Sequence, residues 1–254
     1  MMEEEILIEI CVDSVASAVA AERGGARRLE LCSDLLEGGI TPSAGMIELV
    51  RAKVSMAVQV MIRPRGGDFC YDADEFEIMQ CDIETAKKLG ADGVVFGILD
   101  AEGYVDVQRS RRLVELARPL DVTFHRAFDM SADLFRSLEA VYAAGANRIL
   151  TSGGRPTALQ GLRTISELVK AAKGRISIMP GSGIKPDNAR RIVEESGVRE
   201  IHAGLGSFVP SPMRFRNPRI AMGGAPEREY QRAVVLEESV RRLWDAVAIK
   251  DGGN

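Results

Sequence analysis

The amino-acid sequence predicts a single (β/α)8 barrel, the TIM-barrel class of α/β fold, spanning residues 1–254 as one domain. Eight short apolar segments alternate with longer stretches of helical spacing, the pattern of parallel strands joined by crossover helices. The length of 254 residues is close to the roughly 250 of a complete barrel. An apolar content of 46% with only 5% aromatics supplies a core of Val, Ile, Leu, Met and Ala, which suits strands buried on both faces.

In order along the chain, the strands are read at 7–12 (LIEICV), 27–32 (RRLELC), 57–62 (AVQVMI) and 92–97 (DGVVFG). The second four follow at 121–125 (DVTFH), 147–151 (NRILT), 176–180 (ISIMP) and 199–203 (REIHA). Between them lie segments with apolar residues near a 3.6 period, such as 14–23, 73–89 and 132–144. Four strands follow a helix-ending glycine junction: Gly25-Ala26, Gly90-Ala91, Gly145-Ala146 and Ser196-Gly197. Two loops are long, 63–73 after strand three and 204–228 after strand eight, the latter leading to a last helix around 229–249. Long irregular loops at the active end of a barrel are usually functional.

Composition narrows the function classes. A net charge of -4 gives no global attraction to nucleic acid or to an anionic membrane. No apolar run approaches the roughly 20 residues of a membrane span. The acidic start MMEEEILIEI does not read as a signal peptide, so a cytoplasmic protein is expected. The four cysteines, Cys11, Cys32, Cys70 and Cys81, form no CxxC pair and no zinc-finger spacing, and thiols are expected in a reducing compartment. There is no Ser–His–Asp signature, Walker loop or HExxH, and no lysine in any strand to serve as a Schiff base.

In a barrel of this class the functional groups stand at the C-terminal ends of the strands. Those ends carry Glu9 with Cys11, Glu30 with Cys32, Arg63, His125 with Arg126, Thr151 with Ser152, then Gly181 and His202. Period-two alternation puts Glu9 and Cys11 on one face of their strand, and Glu30 and Cys32 on one face of the next. Adjacent strands lie about 4.8 Å apart, so the two cysteines can meet if the register allows. Two thiolates suit Cu(I), with Met61 and Met179 as further soft donors; equally, buried cysteines fill space. Glu9, Glu30, His125 and His202 are candidate acid–base groups, the carboxylates alternatively pairing with Arg63 or Arg126. Arg63, Arg65 and Arg126, with Thr151, Ser152 and the glycine loops at Gly181, Gly183 and Gly204, are candidates to hold a small anion or a phosphate.

The segments CVDS (11–14), ERGGARRLELC (22–32), EGGITPS (37–43) and MIRPRGGDF (61–69) closely resemble the CutC copper homeostasis family. So do VTFHRAFDM (122–130), ILTSGG (149–154), MPGSGI (179–184) and MRFRNPRIAMG (213–223). The likeness implies a TIM barrel, cytoplasmic copper handling and Cu(I) binding through two cysteines that match Cys11 and Cys32. It also implies a polar cluster at Glu9, Glu30, Arg63, His125, Arg126, Thr151 and His202. The rival expectation is an enzyme acting on a small anionic or phosphorylated metabolite. A homodimer is expected for a barrel of this size and acidity.

Overall fold

A computed structural model describes residues 5–220, 222 and 226–248. The end of the segment 213–223 and of the expected last helix lie outside these residues. Eight parallel strands build the barrel: β1 (Leu7–Val12), β2 (Arg28–Leu31), β3 (Ala57–Met61), β4 (Gly93–Phe96), β5 (Asp121–Phe124), β6 (Arg148–Thr151), β7 (Ser177–Pro180) and β8 (Glu200–Ala203). Each lies within the segment expected from its apolar run. The ladder runs β7-β6-β5-β4-β3-β2-β1-β8, and β7 packs beside β8 at the seam without a registered ladder, so the ring is nearly closed.

The helices α1 (Val15–Arg23), α2 (Ala44–Lys53), α3 (Ala73–Lys88), α4 (Val107–Ala117), α5 (Leu134–Ala144), α6 (Leu162–Ala172), α7 (Ala189–Ser196) and α8 (Glu237–Val247) alternate with the strands. Their starts follow local chemistry. Ser14 caps α1 by accepting from Ser17 N, and Asp72 with Glu75 makes a reciprocal capping box on α3. Gly145 ends α5 at φ 94, a left-handed turn that a side chain would strain.

The C-terminal stretch departs from the expected loop and helix. Residues 206–210 and 231–235 form an antiparallel hairpin, β9 (Gly206–Pro210) and β10 (Gln231–Val235), so α8 begins at Glu237 rather than near 229. The sequence QRAVV favours a strand over a helix through its β-branched valines, and the pair Glu237-Glu238 supplies the acidic first turn that a helix start prefers. Ser17 of α1 accepts from Val235 N at 3.1 Å and fastens the hairpin to the barrel.

Alternation divides the side chains of the barrel. Ile8, Ile10, Leu29, Leu31, Val58 and Val60 face outward and pack with the helices in the main core. Cys11, Cys32, Met61 and Val95 form a separate apolar cluster inside the barrel. The charged inward residues sit beside that cluster, and from them the site is built.

Candidate functional site

The lower interior of the barrel is an ion-pair network. Arg28 of β2 donates Nε to Glu9 and Nη2 to Glu200 and to Met179 Sδ. Arg148 donates Nε to Glu200 at 2.7 Å and Nη1 to Thr123 Oγ1 at 3.1 Å, and Ser177 donates to the other oxygen of Glu200. Two carboxylates and two guanidiniums, all buried, thus neutralise one another where isolated charges would be prohibitively costly. Glu9 therefore pairs with Arg28, and neither Arg63 nor Arg126 fills that part. Met179 is engaged by Arg28, which takes it out of the expected set of soft donors.

Above this layer β1, β2 and β8 bring five sequence-predicted residues together. The register sets Cys11 beside Glu30 and Glu9 beside His202. Cys11 Sγ stands 3.8 Å from Cys32 Sγ, and the Cys32 thiol lies 3.5 Å from Glu30 Oε2. His202 bonds Glu9 Oε1 through Nδ1 at 2.8 Å and turns Nε2 toward Glu30 Oε2 at 3.8 Å. The ligating atoms of Cys11, Glu30 and Cys32 all lie within 4.8 Å of one another, as do those of Glu9, Glu30 and His202.

The electrostatics of this cluster are strongly divided. Burial alone would raise the pKa of Glu9, but the hydrogen bond from His202 and the charges of Arg28, His202 and Arg148 hold it at about 2. The Cys32 thiol, with help from His202 and against burial, brings Cys11 down to about 5. Cys32 is pushed up by the same bond to Cys11 and by burial. Burial and the neighbouring Cys11 thiolate push Glu30 well above the carboxylate range. Burial disfavours the imidazolium of His202, yet Glu30, Cys11 and Glu9 raise it well above its ordinary value.

A cavity of about 1020 Å³ opens over the cluster. Cys11, Glu30 and His202 lie on its wall, whereas Cys32 is sealed at 0% exposure. Across from them stand His125, Arg63 and Arg126. His125 Nδ1 accepts from Ala127 N at 3.1 Å, so the neutral ring carries its proton on Nε2, which has no protein partner. Burial and the nearby Arg63 charge lower the pKa of His125 to about 3. Arg63 gives its terminal nitrogens to the carbonyls of Glu37, Gly39 and Gly67 and stacks 5.0 Å from the Phe69 ring, so it braces two loops of the mouth.

The remaining predicted residues stand elsewhere. Arg65 is outside the cavity, where it is held by Glu75 and Asp68 and stacks over Tyr71. Thr151 and Ser152 turn to Asp129, which accepts from Thr151 Oγ1, Ser152 N, Gly154 N and Arg126 Nε. Gly183 and Gly204 line the mouth, and Gly181 lies against Leu150 and His202, where a Cβ would come 2.5 Å from Leu150 Cδ1. Beyond Glu30, four carboxylates line the cavity (Glu37, Asp68, Asp100 and Asp129) against the guanidiniums of Arg63 and Arg126, so its charge balance leans toward cations. Sequence reasoning missed Arg28, Arg148, Glu200 and Asp129. Arg28 was within reach of it, standing two residues before Glu30 on the same strand face.

These features define a TIM barrel with a buried thiol, carboxylate and imidazole cluster at the floor of an open mouth. The profile of the CutC family matches residues 6–207. The copper homeostasis protein cutC homolog of Mus musculus is 52% identical over 93% of this chain and 88% of its own length, and the one from Homo sapiens is 51% identical over 93% and 87%. A CutC crystal structure from Streptococcus agalactiae superposes with a TM-score of 0.73 at 35% identity, covering 78% of this chain and 98% of that one. The chain belongs to the CutC family.

Proposed function

We propose that the protein handles copper by taking up Cu(I) on the Cys11 and Cys32 thiols at the floor of the barrel mouth. The observation that carries this is the pair of sulfurs 3.8 Å apart, with Cys11 on the cavity wall. Soft thiolates are the ligands that select Cu(I), and the low pKa of Cys11, about 5, supplies one thiolate at neutral pH. The acidic lining favours the approach of a cation. The names of the relatives agree with a role in copper homeostasis.

The experiment is an anaerobic Cu(I) titration of the reduced chain against a competing chelator. About one tight Cu(I) per chain is expected for one two-thiolate site, and Cys11→Ser with Cys32→Ser should abolish it. Binding that survives the double substitution refutes the reading.

A second reading rests on the cavity. Its 1020 Å³ is far larger than an ion needs and equals the upper range of small-molecule sites, about 1,000 Å³. In this reading the chain is an enzyme acting on a small anionic or phosphorylated metabolite. Glu30, His125 and His202 on the cavity wall serve proton transfer, with Glu9 orienting His202, and Arg126 at the rim, with the backbone at Gly183 and Gly204, meets the anion. A thermal-shift screen of phosphorylated metabolites tests it; a hit should weaken in Arg126→Ala, and no hit with or without divalent metals counts against it.

A cytoplasmic location and a homodimer complete the proposal. Among the described residues no helix is long and apolar enough to cross a membrane. Size-exclusion chromatography with light scattering reads the oligomeric state.

A further inference from the structure

The sulfur pair is not alone. Glu30 faces Cys11 across the β1–β2 ladder, and its Oε2 lies 3.5 Å from Cys32 Sγ. Its other oxygen, Oε1, is buried with no hydrogen-bond partner, an unmet acceptor beside two thiols. Buried polar atoms are normally satisfied, and a cation is one way to satisfy a carboxylate.

The spacing of these three donors is informative. Two sulfurs held at about 2.3 Å on a tetrahedral ion stand about 3.8 Å apart, and a sulfur with an oxygen at about 2.0 Å stands about 3.5 Å apart. The observed separations are 3.8 Å for Cys11 to Cys32 and 3.5 Å for Cys32 to Glu30. Two sulfurs opposite each other on a linear ion at the same bond length would be about 4.6 Å apart. Two edges of a tetrahedron are therefore already in place without rearrangement.

The surroundings agree. Cys11 and Glu30 lie on the cavity wall while Cys32 is sealed behind them, so the vertex left open is on the cavity side. His202 stands 3.8 Å from Glu30, and its ring is fixed by the 2.8 Å bond from Nδ1 to Glu9, itself held by Arg28. Ligating carboxylates in metal sites are themselves held by outer partners, and His202 is placed to hold Glu30.

We propose that Cys11, Cys32 and Glu30 form the three-donor face of a site for a zinc-type divalent cation, with the fourth position open to the cavity. Structural zinc sites are closed by four protein ligands, whereas three ligands and an open position characterise catalytic ones. An ion here presents a water or a ligand oxygen to the cavity. The site shares its two thiols with the copper reading but does not depend on Cu(I) binding, and Glu30 separates the two.

The test uses the full chain, reduced and stripped of metal, titrated anaerobically with Co2+ as a spectroscopic probe and with Zn2+ against a chromophoric chelator. We expect one ion per chain, sulfur-to-cobalt charge transfer and the visible bands of tetrahedral cobalt. Glu30→Gln should weaken Zn2+ binding about tenfold or more, while Cu(I) affinity changes by no more than a few-fold because both thiols remain. Cobalt bound without thiolate charge transfer, or Zn2+ affinity unchanged in a folded Glu30→Gln protein, overturns the proposal. X-ray absorption of the zinc-loaded wild type needs no variant. Two sulfurs at about 2.3 Å with oxygen or nitrogen at about 2.0 Å support the site, and a shell of sulfur alone or of oxygen and nitrogen alone overturns it. Loss of the copper reading would leave the cobalt signature intact, so the two failures are distinguishable.

Discussion

Arg28→Met is the most informative perturbation of the barrel interior. The substitution keeps an unbranched stem of similar length but strips Glu9 and Glu200 of the guanidinium that both accept from. Removing one partner of a buried ion pair costs about 3–5 kcal/mol, because the other charge is left in a medium that cannot solvate it. A second route gives the same scale. The lowering of Glu9 from 4.5 to about 2, at 1.36 kcal/mol per pH unit, corresponds to about 3 kcal/mol left in favour of the carboxylate after its partners offset the burial penalty. For a carboxylate with a depressed folded pKa, that stability is fully present above pH 4.5 and is lost as pH falls toward 2. The assay is urea unfolding followed by the fluorescence of Trp244, the single tryptophan, which packs against the core. At pH 7 the variant should lose about 3–5 kcal/mol. The deficit should shrink near pH 4.5, where the carboxylates freed of Arg28 take up protons, and adding Glu200→Gln should recover part of it. A loss below about 1 kcal/mol, the scale of an exposed pair, or a deficit independent of pH, would refute the account of a charge-neutralised interior.

Other outcomes follow from the same geometry. His125 is held at about 3 against an ordinary 6.5, so the unfolded chain binds its proton first and stability falls as pH drops below 6.5, by about 1.4 kcal/mol per unit. His125→Asn, whose side-chain oxygen can still accept from Ala127 N, should lose less melting temperature than wild type between pH 7 and 5, as read by calorimetry. Asp129→Ala removes the acceptor shared by Thr151, Ser152, Gly154 and Arg126 and should cost about 3 kcal/mol, with Asp129→Asn recovering part. Denaturant titration checks it, and a change under about 1 kcal/mol would contradict a structural role for this aspartate. The Cu(I) titration of the double cysteine variant and the zinc and cobalt titration of Glu30→Gln separate the two metal readings.

Much of this architecture was legible in the chain. Strands such as LIEICV and GVVF are apolar runs too short for helices, and their rhythm with helical segments leaves few alternatives to a barrel. Alternation alone put Glu9 with Cys11 and Glu30 with Cys32. The C-terminal hairpin escaped because QRAVV, next to an amphipathic run, reads as the start of that helix. Its partner at 206–210 is separated by a long irregular connection, and no local signal marks such a pairing. Asp129 escaped because it stands on a short turn after β5, and its acceptor role depends on the neighbouring loop after β6.

By itself the sequence determined the barrel, the family and the set of polar residues that reach the strand ends. Those properties come from periodicity and residue type, which are local. Tertiary structure alone decided the partners. Closing the ring sets β8 beside β1, 193 residues apart at His202 and Glu9, and so delivers the imidazole to that carboxylate. It also assigns Arg28 and Arg148 to the buried acids while Arg63 and Arg65 turn to loop carbonyls and other carboxylates. Which charge meets which is fixed by strand register and burial, because a buried ion must take the partner that geometry brings within reach.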